Sequence, residues 1–108
     1  MSGDLIKWLE SYDKKVERYH GLQWNDRAEL NTLLKTMSII MSQLEHFRTE
    51  AHKKHNGIMF NFDGTSAKGK IKADYEVPEL YQLRRIMEAG YRVLDAIRSN
   101  ISSLNKEQ

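Results

Sequence analysis

The chain has 108 residues, no cysteine and one proline, with 30% charged residues and a formal net charge of +2. That length fits one domain, the missing cysteines exclude disulfides and thiolate metal sites, and no apolar run reaches the length of a membrane span. With a mean hydropathy of −0.68 and no hydrophobic leader in MSGDLIKWLE, the expectation is a soluble, cytoplasmic protein.

The first predicted element is a helix over about 4–20. Leu5, Leu9, Tyr12, Val16 and Tyr19 step by 4, 3, 4 and 3, which places them on one helical stripe, and Trp8 widens it. Gly21 is placed to end the helix in the left-handed conformation. Trp24, in the short linker HGLQWN, is expected to be buried at a helix–helix corner.

A second helix is expected over about 26–56, opened by Asp26 and Glu29 at capping-box spacing. Leu30, Leu34, Met37, Met41 and Leu44 form one apolar line, and Leu33, Ile40 and Phe47 form another. Two adjacent lines give a face wide enough for more than one neighbour. The run His52–Lys53–Lys54–His55 suits the negative end of the helix dipole, and Asn56–Gly57 reads as the stop.

The period then changes. Ile58, Phe60 and Phe62 alternate with Met59, Asn61 and Asp63, Asp63–Gly64–Thr65–Ser66 is turn chemistry, and Lys68, Lys70 and Lys72 alternate again. A period of two predicts strands, so 58–73 reads as a β-hairpin or a loop that orders on binding. A lone two-stranded hairpin is marginal in water and must lean on the helices, on neighbouring copies or on a ligand.

The last element, over about 78–104, carries the strongest pattern. Leu80, Leu83, Met87, Gly90, Leu94, Ile97, Ile101 and Leu104 alternate steps of 3 and 4, the a/d seam of a coiled coil. Pro78 suits a first helical turn. Gly90 inside the seam points to close packing, against Phe47 or Trp24. The expected fold is all-α: a long antiparallel helical hairpin with a small β-hairpin tip and an N-terminal helix. The wide apolar faces point to a homo-oligomer as well as a core.

Residues 46–75 hold six cations, Arg48, Lys53, Lys54, Lys68, Lys70 and Lys72, against three carboxylates. Gathered at one tip, such cations bind phosphate backbones by releasing counterions, and Phe60, Phe62 and Tyr75 offer faces on which unpaired bases stack. The competing reading is solvated loop lysines that protect an edge strand. His46, His52 and His55 bring too few further ligands for a metal site, so neither a metal nor a cofactor is expected. No phosphate-binding glycine loop or nucleophile motif is present, and Glu88 has helical spacing to Arg84, Arg85 and Arg92 as an ordinary surface pair. The chain does not read as an enzyme.

A long helix ending in HFRTEAHKKHNG, an insertion, the start ADYEVPEL and the segment EAGYRVLDAIRSNISSL follow one another between Met37 and Leu104. This layout resembles the phage recombination mediators of the UvsY type. The resemblance implies a cytoplasmic phage protein that forms a ring and binds single-stranded DNA. It would help load a recombinase in place of a single-strand-binding protein. It also implies DNA contacts from basic residues near the end of the long helix, here Arg48, Lys53 and Lys54. Lys68, Lys70 and Lys72 join them on charge geometry, and Phe60 and Phe62 as stacking faces, not through the resemblance. The chain is shorter than the family, and its N-terminal helix has no counterpart there.

The rival expectation is a phage structural or assembly adaptor, or a chaperone, using the same helices for protein contacts. The two separate on whether Lys53, Lys54, Lys68, Lys70 and Lys72 share one surface. A third reading, a metal-dependent hydrolase, would need carboxylates beside the histidines, and only Glu50 is near in sequence.

Overall fold

The computed structural model describes residues 2–106, and these form four helices: α1 (Gly3–His20), α2 (Arg27–Phe60), α3 (Ser66–Glu76) and α4 (Glu79–Lys106). The all-α class expected from the sequence stands. The β-hairpin does not: no strand occurs among the described residues, and 58–73 is the last turn of α2, a turn and most of α3.

Asp26 does cap α2, its carboxylate accepting from the Glu29 amide at 3.2 Å. Glu29 turns instead to Arg18 at 3.3 Å, tying the end of α1 to the start of α2. Gly21 closes α1 with φ −90° and ψ −1° rather than in the left-handed region. Its amide still donates to Glu17 O, and Leu22 N donates to Tyr19 O. Asn56–Gly57 does not stop α2. The line Ala51, His55, Ile58 continues the 4-and-3 spacing, and Ile58 packs on Ala51, Val77 and Leu80.

α2 has 34 residues, about 50 Å at 1.5 Å per residue, and α4 lies antiparallel along it. Leu30 shares a surface concavity with Asn100, Met41 lies over Gly90, and Ala51 packs with Leu80. α1 runs beside them. Its Leu5 meets Phe47 and Ala51, Tyr12 Oη donates to Ile86 O at 3.3 Å, and Asn100 Nδ2 donates to Tyr19 Oη at 3.3 Å. The arrangement is up–down–up, with α1 covering the near part of α2 and α3 covering its far end.

The seam of α4 is filled inside this one chain. Leu83, Met87, Gly90, Leu94 and Ile97 are buried and Ile101 is half-buried, against Leu30, Leu33, Met37, Ile40, Met41 and Leu44 of α2, while the buried Leu80 packs with Ala51, Val77 and Ile58 in a smaller cluster. Gly90 is indeed a close-packing position, but its neighbours are Met41 and Tyr12 rather than Phe47 or Trp24. Trp24 is 60% exposed. The α1–α2 corner closes on Leu22 and Leu30, which leaves the indole at the rim of a shallow concavity.

Candidate nucleic-acid interface

Helix α3 packs through small residues. Thr65 caps it, its hydroxyl accepting from Lys68 N at 3.3 Å. Gly69 and Ala73 are its buried positions, and Phe62 folds back so that its Cβ lies 3.2 Å from where a Gly69 side chain would begin. Phe62 is thus half-buried packing in the turn, with Lys72 Nζ 6.0 Å from its ring centroid. It is a less available stacking surface than the sequence implied. Phe60, at the end of α2, is 90% exposed.

One polar clamp fixes α3 to α2. His55 is 8% exposed, and its Nε2 donates to Asp74 Oδ1 at 2.7 Å. Lys70 Nζ donates to the other carboxylate oxygen of Asp74 at 2.7 Å. Lys70 and then His55 hold the Asp74 carboxyl below its ordinary range, because both hydrogen-bond to the ionised form.

A helix distributes the lysines differently from a strand. Lys68 and Lys72, four apart, share the outer face of α3 with Ile71 and Tyr75, and all four are exposed. Lys70 lies on another side, beside His55 and Asp74. Lys54 lines a separate concavity with Leu5, Phe47 and Glu79. The five lysines therefore do not form one surface.

Several of these cations are paired. Lys53 reaches Glu50 at 3.5 Å, Lys70 reaches Asp74, Lys72 reaches Glu76 at 4.0 Å, and Arg48 is held by Glu45. Lys54, Lys68, Arg84 and Arg85 have no carboxylate partner among the described residues.

Arg84 and Arg85 are the residues the sequence reading missed. It assigned them to Glu88, yet Arg84 instead donates to His52 Nδ1 at 3.2 Å, and the Arg85 guanidinium lies 5.8 Å from the ring centroid of Tyr81. The signal available in the sequence was the pairing of Tyr81 with Arg85 at i, i+4. His46 stacks edge-on against Phe47, and the described residues hold no group of His, Asp and Glu arranged for a metal. No helix among them is long and apolar enough to cross a membrane.

No family model, curated protein or solved structure matches the chain.

Proposed function

We propose that the protein is a non-catalytic single-stranded DNA-binding accessory protein of the recombination-mediator kind, engaging DNA through the tip formed by α3 and the end of α2. The observation that carries this reading is the outer face of α3. Lys68, Ile71, Lys72 and Tyr75 stand at i, i+3, i+4 and i+7 and are all exposed, Tyr75 by 85% and Ile71 by 69%, with Phe60 exposed at the same end of the molecule. Single exposed apolar residues are ordinary, but a group of them interleaved with cations is a binding surface. Cations meet phosphates, and aromatic faces meet unpaired bases.

The ion pairs do not oppose this. Exposed pairs such as Lys72–Glu76 are worth only about 0–1 kcal/mol, so a phosphate backbone that releases counterions displaces the carboxylates at small cost. Ring assembly and recombinase loading belong to the same proposal. A ring would use outward surfaces, because the α4 seam is already occupied.

A second reading, the protein adaptor, is favoured by the separation of Lys54 and Lys70 from the outer face of α3. Fluorescence anisotropy with labelled oligo-dT and a duplex of equal length, from about 50 to about 200 mM salt, distinguishes them. The expected result is preference for the single strand, steep weakening with salt, and loss in Lys68→Ala/Lys72→Ala/Tyr75→Ala. Absence of binding to either DNA at the lowest salt rejects the single-strand reading and leaves the adaptor.

A further inference from the structure

A groove of about 570 Å³ opens between α3 and the first turns of α4, within the range of roughly 300–1,000 Å³ typical of ligand sites. Its floor is apolar, with Val77 and Leu80 1% and 3% exposed. Its walls carry Lys70, Asp74, Pro78, Tyr81 and Arg84. Tyr81 remains 65% exposed although the Arg85 guanidinium stands 5.8 Å from its ring centroid.

The donors in this groove are only partly used. Lys70 gives one hydrogen bond to Asp74, and Arg84 gives one to His52. An ammonium has three N–H donors and a guanidinium five, so both keep capacity for an anion. Among the described residues Asp74 is the one carboxylate lining the groove, and its charge is already offset by Lys70 and hydrogen-bonded by His55. Flat apolar faces at Pro78 and Tyr81, with two cations beside them, match a nucleotide with its base exposed. In a duplex both faces of a base are covered by its stacked neighbours, so the groove suits an unpaired strand and not a duplex.

We infer that this groove holds one unpaired nucleotide of the bound strand, its base against Tyr81 and its phosphate on Arg84 and Lys70. This rests on the single-strand reading above, and it extends the DNA path from the outer face of α3 onto α4.

The test uses the full chain and labelled oligo-dT by anisotropy across salt, with Tyr81→Ala, Tyr81→Phe and Arg84→Ala alongside the α3-face triple variant. Circular dichroism confirms helix content for each. Tyr81→Ala is expected to weaken binding by about fivefold to 150-fold, the range base–aromatic stacking spans. Tyr81→Phe should stay within about twofold of the parent, because the ring and not the hydroxyl stacks. Arg84→Ala should flatten the salt dependence by about 0.7 in log–log slope, the loss of one single-strand phosphate contact. If the triple variant weakens binding while Tyr81→Ala and Arg84→Ala bind as the parent does, the groove is not on the path and only the α3 reading survives. If the parent binds no DNA at low salt, both fail together.

Discussion

A Cβ placed on Gly90 would lie 2.5 Å from Met41 Sδ and 3.0 Å from the Tyr12 ring, whereas one placed on Gly57 would meet nothing within 4 Å. Both glycines lie inside helices, where alanine is favoured by about 1 kcal/mol. At Gly57 nothing opposes that preference, so Gly57→Ala should stabilise the protein by about 0.5–1 kcal/mol. At Gly90 the methyl would crowd a thioether and a ring. Met41 is only 2% exposed and Tyr12 7%, so neither has free space to move into. Overpacking of this kind costs about 1–3 kcal/mol, which outweighs the helical gain. Gly90→Ala should therefore be destabilising by about 1 kcal/mol, read from urea unfolding midpoints at unchanged m-value. A Gly90→Ala protein more stable than its parent would show that Met41 swings aside freely.

At the scale of elements, α3 is the weakly held part. Its packing face is Gly69 and Ala73, and the small cluster beneath it is Ala51, Val77 and Leu80 with Ile58. Regions with few buried apolar contacts open locally before the rest unfolds. The His55–Asp74 clamp is then a large share of what keeps α3 docked. Because the folded Asp74 carboxyl lies below its ordinary range, its contribution is complete above that range and is lost as pH falls through the lowered value. Protection of the Ser66–Glu76 amides, measured against intrinsic exchange rates that themselves slow on acidification, should fall as pH drops or in Asp74→Asn, while the α2–α4 core stays protected. Uniform loss of protection across all four helices would contradict a separately opening α3. The same element explains what the sequence concealed. The long helices were legible because their large apolar residues repeat at 3 and 4. The end of α2 was not, because its buried position 55 is a histidine and Asn56–Gly57 imitates a stop. Helix α3 has no large buried side chain to mark a period, and its alternating lysines imitate a strand. The cations of the candidate site were visible as composition. Their distribution over separate surfaces, and the release of Arg84 and Arg85 from Glu88, depended on the helical turn and on α4's place beside α3 and α2.

For the molecule as a whole, the dimensions are 62 × 27 × 18 Å with a radius of gyration of 17.8 Å. A compact chain of this length would have a radius near 13 Å, about 2.2·N^0.38, so the protein is a rod. Rods of this kind bury less surface than globules, and the heptad seam of α4 taken alone demands a partner helix. That partner is α2 of the same chain, with Leu5 and Tyr12 of α1 joining the same core. Within one chain the α4 seam is thus already covered, which leads to the expectation that a single copy folds. The unfolding midpoint of the DNA-free protein should accordingly stay fixed across a hundredfold range of protein concentration below that at which folded copies associate, since any association of the folded chain makes it concentration-dependent. Sedimentation should at the same time give the high frictional ratio of a 62 Å rod. A midpoint that climbs with concentration in that range would mean that the folded chain is stabilised by contacts between copies, through its outward surfaces or through exchange of the α2–α4 seam.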